Sequence, residues 1–349
     1  GKFYVWTRNE TRMLLGEDYE LFARRFGLDR EPNFEGHYHL HVFTALPDLA
    51  REFSISEEDC MRRLDAARAT LFAVRSQRIW PGRDEKILTS WNGLMIRGLS
   101  LAARHLERPD YAAAATRALD FIRSTLWHDG RLLATYKDGR AHLDAYLDDY
   151  VFLIDGILEL LQVRWRDGDL KFAIELAEVV LAHFQDPDGG FYFTADDHEA
   201  LIQRPKPVSD DALPSGNGIA ATVLGRLGHL LGESSYTDAA ERTLTALWPV
   251  IEQNAYACTA LLLATEEYLF PGQTVVLRGS GETLEQWRRH CAQTYAPRRL
   301  TFAIPDDAID PPGLLRERRS QGEVVAYVCT GTQCAPPVTT LGELEKLLT

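Results

Sequence analysis

The sequence predicts a mainly α-helical chain in which helical hairpins form part of a toroid with short β-hairpin insertions, followed by a small α/β unit. Three patterns lead to this fold class. Between residues 56 and 270, apolar residues recur at spacings of three and four, which is typical of amphipathic helices. The predicted helices come in pairs joined by short turns. After Pro271 the pattern changes to short strands alternating with helices.

Turn-forming sequences at 107–110, 166–169 and 232–234 join the two members of three helix pairs, so the partners should run antiparallel. A single amphipathic helix cannot bury its apolar stripe alone. Repeated hairpins therefore favour a ring with an inner and an outer layer of helices. The predicted helices span 56–75, 89–106, 109–125, 147–165, 169–185, 215–231, 235–252 and 254–269.

Strand-like segments lie between the hairpins. Segments 131–136 and 190–194 each follow a turn sequence, and we predict that they form equivalent β-hairpin insertions. The opening segment 1–7 resembles 190–194 and carries no initiator methionine. We therefore expect that the toroid domain, residues 1–271, lacks its first helices in this chain and that the chain is part of a longer protein.

Short β-branched strands alternate with helices in the carboxy-terminal part. This alternation predicts a small α/β unit at 272–349, with a largely parallel sheet that packs against the toroid. The predicted strands span 274–277, 300–303 and 324–328, and the predicted helices span 282–295 and 341–348.

Composition argues against several classes of protein. The 349 residues are 45% hydrophobic, which is ample for a buried core. A formal charge of -13 disfavours a nucleic acid partner. Apolar stretches fall short of a membrane span, so we expect a cytoplasmic protein with no membrane partner. Five scattered cysteines do not form the pattern of a secreted disulfide framework, so most should be reduced and buried.

Polar residues collect where the leading helix of three pairs begins. The runs 84–95, 147–150 and 214–217 each enter such a helix. Free N–H groups at a helix start favour acceptors and negative charge, and Thr89 or Ser90 is predicted to cap the first of these helices. Because the three loops all enter leading helices, we expect them to face one shared cavity.

Five motifs along the chain resemble the spermatogenesis-associated, thioredoxin-domain-containing protein family. Their order and spacing match over nearly the whole chain: Lys86 to Met95, Asp148 to Tyr150, Gly189 to Phe191, Pro214 to Asn217, and Cys329 to Val338. The resemblance implies a six-hairpin, glycosidase-like (α/α)6 toroid, similar to that of sugar 2-epimerases, and a small terminal unit. It also implies an upstream thioredoxin-like domain that this chain does not contain.

Three carboxylates are the candidate catalytic groups. Asp84, Asp148 and Asp149 stand at helix entrances, where one protonated and one ionised carboxyl can act as general acid and base on a sugar. The alternative is that each of them caps a helix. Lys86 either orients a substrate or neutralises its acidic neighbours. Trp91 either stacks on a sugar ring or packs in the core.

Further residues are predicted to contact a ligand. Ser215 has no histidine near it in sequence, which disfavours a nucleophilic serine. Arg204 lies in a loop, with Asp210 and Asp211, that either closes over the cavity or is solvated surface. The ligand-contact candidates other than Lys86 and Trp91 are Asn92, Tyr150, Arg204, Ser215 and Asn217.

Two patterns bear on metals and redox chemistry. His37, His39 and His41 alternate as zinc ligands on a strand do, but an exposed strand gives the same spacing, and we predict no metal site. Cys329 and Cys334 are separated by four residues, which favours a structural thiol pair near a sheet edge, with a regulatory disulfide as the alternative.

The predicted function is that of a carbohydrate-active or carbohydrate-binding toroid that takes a small sugar-like ligand and needs no cofactor. In an enzyme of this kind, Asp148 or Asp149 would move a proton at a sugar carbon, as in epimerisation or isomerisation, or would act in glycoside hydrolysis. The alternative is a non-catalytic scaffold that binds a partner or a metabolite while an upstream thioredoxin-like domain performs redox chemistry.

Overall fold

The computed structural model describes residues 1–199 and 201–348. Internal contacts divide the chain into two units, Gly1–Asp84 and Glu85–Thr349. The predicted boundary between residues 271 and 272 lies within the second unit and stays a prediction.

The first unit is a small helical unit. Thr7 and Ser56 begin its first and last helices by accepting hydrogen bonds from Glu10 N and Asp59 N, at 3.2 and 3.1 Å. In the strand-like segment 1–7, Trp6 forms an isolated bridge to Tyr38, and these seven residues form no regular strand. Its helices are α1 (Arg8–Leu15), α2 (Tyr19–Phe26), α3 (Leu46–Glu52) and α4 (Glu57–Ser76).

The second unit contains the predicted helical hairpins. A 3-10 turn at Ala255–Ala257 delays the start of the last of its hairpin helices, and the helix predicted at 147–165 already ends at Leu161. The helices are α5 (Thr89–His105), α6 (Pro109–Thr125), α7 (Leu147–Leu161), α8 (Asp167–His183), α9 (Gly216–Leu231), α10 (Ser234–Gln253) and α11 (Thr259–Leu269).

Helix packing in this unit follows a two-layer pattern. Helix α5 packs against α6, α7 against α8, and α9 against α10. The leading helices also pack side by side, α5 against α7, α7 against α9, and α9 against α11. This is the arrangement predicted for part of an (α/α) toroid, and the mainly α fold class is confirmed.

Glycines allow the leading helices to approach closely. A Cβ atom at Gly93 would lie 2.7 Å from Leu153 N, and a Cβ atom at Gly156 would lie 2.7 Å from Gly93 O. No side chain fits at either position, so the two glycines set the distance between α5 and α7. The starts of these two helices are held close together as a result.

Short strands lie between the hairpins of the second unit. Strand β3 pairs antiparallel with β1, β2 and β4, which confirms a β-hairpin insertion at 131–136. The equivalent strand predicted at 190–194 is wrong, because only Phe191 forms a bridge, to Gln185. The strands are β1 (Ile87–Leu88), β2 (Trp127–His128), β3 (Arg131–Lys137) and β4 (Arg140–Asp144).

A four-stranded sheet forms the carboxy-terminal part, with α12 (Gly281–Gln293) and α13 (Leu341–Leu347) beside it. Its strands are β5 (Gln273–Gly279), β6 (Leu300–Pro305), β7 (Val324–Thr330) and β8 (Gln333–Cys334), in the order β6-β5-β7-β8. Only β5 and β6 are parallel, so the largely parallel sheet predicted from the sequence is wrong. The segment between β6 and β7 contains a 3-10 turn and no crossover helix, and β7 enters antiparallel.

Apolar residues of β6 join the core of the helical hairpins. Leu300, Phe302 and Ile304 pack in one cluster with residues of α7 and α9, so this sheet shares a core with the helices as predicted.

Cys60, Cys258 and Cys291 are buried free thiols, whereas Cys329 and Cys334 form a disulfide. None of the described helices is long and apolar enough to cross a lipid bilayer.

Candidate functional site

Asp149 joins the beginnings of α5 and α7. Its Oδ1 atom accepts a hydrogen bond from Ser90 N at 2.8 Å, and its Oδ2 atom accepts one from Tyr146 N at 2.9 Å. The predicted cap of α5 by Thr89 or Ser90 is therefore wrong. The acceptor comes from the neighbouring helix, and the Thr89 hydroxyl donates to Leu133 O instead.

Burial raises the pKa of Asp149 to about 6. The hydrogen bonds to its oxygens favour the carboxylate and act in the opposite direction, but they do not cancel the effect of burial. The side chain is 3% exposed. Because both oxygens are occupied by backbone N–H groups, the geometry assigns Asp149 the capping role that the sequence left open.

Asp148 differs sharply from its neighbour. Its Oδ1 atom is buried and has no hydrogen-bond partner among the described residues. Burial, and then the charge of Asp149, raise the pKa of Asp148 to about 7. A Cβ atom at Gly216 would overlap this oxygen, so the glycine at the start of α9 makes room for the carboxyl.

Asp210 joins the beginnings of α9 and α11. Its Oδ1 atom accepts a hydrogen bond from Ser215 N at 2.8 Å, and its Oδ2 atom accepts one from Ala260 N at 2.9 Å and another from the Thr259 hydroxyl. Burial opposes ionisation, but these hydrogen bonds hold the pKa of Asp210 below its ordinary value. The long loop before α9 thus supplies a cap, which neither interpretation of the sequence included.

The first turns of four leading helices are therefore linked in a row, each to the next, and we call this row of helix starts the helix mouth. Asp149 connects α5 to α7, Asp148 lies against α9, and Asp210 connects α9 to α11. The residues that define the helix mouth are Ser90, Asp148, Asp149, Asp210, Gly216 and Ala260.

Three residues that were predicted to contact a ligand are buried within the protein. Asn217 is fully buried and bonds to Phe191 N, Phe191 O and Pro207 O at 2.8, 3.0 and 3.0 Å. Tyr150 is also fully buried, and its hydroxyl accepts a hydrogen bond from Leu132 N at 3.0 Å. Ser215 is 3% exposed. The Asn217 and Tyr150 side chains hold loops in place, and the predicted ligand contacts of these three residues stay predictions.

Trp91 lies on the surface at the first turn of α5. Its side chain is 60% exposed, so the interpretation as a core residue is wrong. Asn92 donates to Leu88 O at 2.8 Å and stays within its own turn. Asp84 is the last residue of the first unit and Lys86 lies near the start of the second, and both are exposed. Their predicted roles stay predictions.

An aromatic pair that the sequence analysis did not identify lies beside the start of α7. The rings of Tyr146 and Phe193 stack at 4.7 Å with an interplanar angle of 11°, and both side chains are half-buried. The centre of the His198 ring lies 5.6 Å from the centre of the Tyr146 ring. The two ring nitrogens of His198 have no hydrogen-bond partner among the described residues. No periodicity connects residues 146, 193 and 198, so only the fold could bring them together.

Arg204 holds its loop rather than reaching the helix mouth. Its guanidinium donates to Thr194 O and to His183 O, the latter at 3.1 Å, and lies 4.2 Å from the centre of the Tyr192 ring. These contacts favour a structural role over ligand binding.

His37 and its two alternating neighbours are exposed and lie outside any regular strand, so a shared strand face is not formed. Within the described ranges, the group of His, Cys, Asp or Glu side chains that could reach a single metal ion is His183, Asp196 and Asp197. Arg131 already pairs with Asp197 at 2.8 Å, which neutralises one of the three ligands.

Comparison with known proteins gives relatives along the whole chain. The chain is 26% identical to human spermatogenesis-associated protein 20 over 100% of its own length and 49% of that protein. It is also 26% identical to an uncharacterized protein of Caenorhabditis elegans, over 99% of this chain and 51% of that one. The chain thus spans about half the length of the curated relatives it matches. The resemblance predicted from the five motifs is confirmed.

No family model matches the chain. Among solved structures, it is similar to cellobiose 2-epimerase from Spirochaeta thermophila, with a TM-score of 0.43 and 15% identity over 53% of this chain and 54% of that one. It is also similar to an inactive variant of the α-1,6-mannanase GH76A from Salegentibacter sp. in complex with α-1,6-mannotriose. That TM-score is 0.39, with 13% identity over 69% of this chain and 70% of the other.

Proposed function

We propose that this chain, a relative of spermatogenesis-associated protein 20 along its whole length, binds a sugar-like ligand at the helix mouth and that Asp148 exchanges a proton with it. The reaction class that fits best is proton transfer at a carbon next to a sugar carbonyl, as in epimerisation or aldose-ketose isomerisation.

The buried, unpartnered carboxyl oxygen of Asp148 is the observation that carries this proposal. A carboxyl with a pKa of about 7 is present in both forms near neutral pH, so it can accept a proton and return it in one cycle. Its unpartnered Oδ1 atom is costly to bury unless a ligand or a proton compensates it. A purely structural carboxylate is expected to be hydrogen-bonded, as Asp149 is.

The choice of reaction class follows from the number of available carboxyls. Most glycoside hydrolases use two carboxyl groups, one as acid and one as base or nucleophile. At the helix mouth, Asp149 and Asp210 are both occupied by backbone N–H groups, which leaves Asp148 as the group with an unused oxygen. One such carboxyl supports proton transfer better than glycoside hydrolysis.

The neighbouring surface suits a neutral polyhydroxylated ring. Trp91, next to Ser90 at the start of α5, exposes a large aromatic face. The stacked rings of Tyr146 and Phe193 lie at the start of α7. Aromatic faces offer apolar contact area for the C–H surface of a sugar, while the carboxyls of the helix mouth disfavour an anionic ligand.

Deuterium incorporation tests the proposal. The protein is incubated in deuterated water with single reducing sugars, and exchange at the carbon next to the carbonyl is followed by proton NMR. We expect exchange with at least one sugar and its loss in Asp148→Asn, whereas Asp144→Asn, which changes an exposed carboxylate, should retain it. Full exchange in Asp148→Asn would refute the assignment.

The second candidate function is a non-catalytic scaffold beside a thioredoxin-like domain. It is favoured by the number of polar side chains, including Asn217 and Asp149, that are used up in contacts within the protein. No deuterium exchange, together with no rise in melting temperature with any sugar, would support it. The thioredoxin-like partner domain and a cytoplasmic location stay predictions.

A further inference from the structure

The disulfide between Cys329 and Cys334 lies at the edge of the carboxy-terminal sheet. It joins β7 to the edge strand β8, in a hairpin separate from the helix mouth. The two sulfurs differ in access. Cys329 is 3% exposed, whereas Cys334 lies on the exposed outer strand. A reagent from solution can therefore reach one sulfur far more easily than the other.

A buried arginine contacts the inaccessible sulfur. The guanidinium of Arg318 donates from Nη2 to Cys329 Sγ at 3.2 Å. Arg318 is 4% exposed, and its Nη1 atom has no hydrogen-bond partner in the described part of the chain. Among residues 1–199 and 201–348, no carboxylate forms an ion pair with Arg318 either.

This arrangement leaves a buried positive charge without a negative partner while the disulfide is intact. An isolated buried charge is expensive, and in Arg318 burial lowers the pKa of the guanidinium. Reduction of the disulfide would place a thiolate at Cys329, directly against that charge. The reduced state is thus the one that satisfies Arg318, and a disulfide whose reduced form is stabilised is the more easily reduced.

We propose that Cys329 and Cys334 form a thiol-disulfide exchange site, in which Arg318 stabilises the Cys329 thiolate and a dithiol compound or protein is the reductant. This site is independent of the proposed function of the helix mouth. Either one can fail without affecting the other.

The exchange proceeds in two balanced steps. A thiolate of the dithiol attacks Cys334 Sγ, a bond forms between these two sulfurs, and the bond between Cys334 and Cys329 breaks, its electron pair going to Cys329 Sγ. The second thiolate of the reductant then attacks the other reductant sulfur, the one bonded to Cys334 in the mixed disulfide. The bond between that sulfur and Cys334 breaks, and Cys334 leaves with the electron pair and takes up a proton. The protein disulfide gains two electrons, and the dithiol is oxidised to a disulfide.

The remaining cysteines are poorly suited to this chemistry. Burial raises the pKa of Cys291 to about 11 and raises the pKa values of Cys60 and Cys258. Their thiolate fractions near neutral pH are correspondingly small. Thiol reactivity near pH 7 should therefore report Cys329 and Cys334.

Equilibration with mixtures of reduced and oxidised dithiothreitol tests the role of Arg318. The reduced fraction is trapped with a maleimide and measured by mass spectrometry in the wild type, Arg318→Met and Arg319→Met. Arg319 is the adjacent, exposed arginine and serves as the matched control. We expect Arg318→Met to make the disulfide about tenfold harder to reduce, a potential about 30 mV lower, and Arg319→Met to stay within about twofold. Equal equilibrium constants for reduction of the disulfide in all three proteins would overturn the proposal.

A second measurement needs no variant, in case Arg318→Met does not fold. The reduced wild-type protein is titrated over a range of pH, and ionisation of Cys329 is followed by the carbon-13 NMR shift of its labelled Cβ atom, which needs no access of a reagent to the sulfur. We expect a midpoint at least one unit below the ordinary thiol value of about 8.5. A midpoint at or above that value would show that Arg318 does not stabilise the thiolate, and the disulfide would then be structural only.

Discussion

Replacement of Asp148 by asparagine should change the pH dependence of stability in a defined direction. Asparagine has nearly the shape of the protonated carboxyl but does not titrate. The pKa of Asp148 rises from 3.8 to about 7 on folding, mainly because the group is buried. The folded protein therefore favours the protonated form. Its contribution to stability is fully present below pH 3.8 and is lost as the pH rises towards 7.

The size of the effect follows from the shift. One pKa unit corresponds to about 1.4 kcal/mol, so a group with these two pKa values lowers the free energy of unfolding by ~2.6 kcal/mol between pH 5 and pH 8. Asp148 is half-buried, and solvent screens part of the cost. We expect a loss of about 2 kcal/mol in the wild type that Asp148→Asn does not show. Relief of the repulsion on Asp149 acts in the same direction.

Urea unfolding at pH 5 and pH 8 measures this difference in the wild type, Asp148→Asn and the exposed-site control Asp144→Asn. The slope of unfolding free energy against urea should be unchanged, so the midpoints report stability. Asp144→Asn should follow the wild type at both pH values, since Asp144 is exposed. If the wild type and Asp148→Asn change in parallel within about 0.5 kcal/mol, the Asp148 carboxyl is not protonated by burial and its proposed role loses its basis.

Three further substitutions, and one control, test how the beginnings of these helices are held together. Asp149→Asn should lower the free energy of unfolding by about 2 kcal/mol, because an amide N–H₂ donor would face a backbone N–H donor such as Ser90 N. A loss below about 0.5 kcal/mol in urea unfolding would contradict the capping role. Gly93→Ala should cost more than 2 kcal/mol, since its Cβ atom would lie 2.7 Å from the backbone of α7. Gly98 lies in the same helix with open space around it, so Gly98→Ala should instead stabilise the protein by up to about 1 kcal/mol. Thermal melts of the two variants measure this difference, and equal melting temperatures would contradict the close approach at Gly93. Asp210→Ala should cost about 2 kcal/mol and raise amide hydrogen exchange at the starts of both α9 and α11, and unchanged exchange at α11 would show that the shared cap is unimportant.

Local patterns in the sequence determined the helices and their pairing. Apolar spacing of three and four is a property of one helix, so the helix at 109–125 is found at the residues predicted. The resemblance to a known family likewise depends on order along the chain. Local pattern alone does not determine a strand, because a strand needs a partner strand to bond to. Segment 190–194 has a strand-like pattern, but of its residues only Phe191 forms a bridge, to Gln185, whereas segment 131–136 pairs with three strands.

Only the tertiary structure distinguished Asp148 from Asp149. The two residues are identical and adjacent, and the sequence offered each the same choice between capping and chemistry. The amide that Asp149 caps belongs to Ser90, 59 residues earlier in the chain, and the glycine that makes room for Asp148 lies at the start of α9. Which carboxyl is hydrogen-bonded and which stays unpartnered depends on how separate helices meet, and no local pattern encodes that geometry. The same holds for Arg318 beside Cys329, where packing alone brings a buried charge to a sulfur.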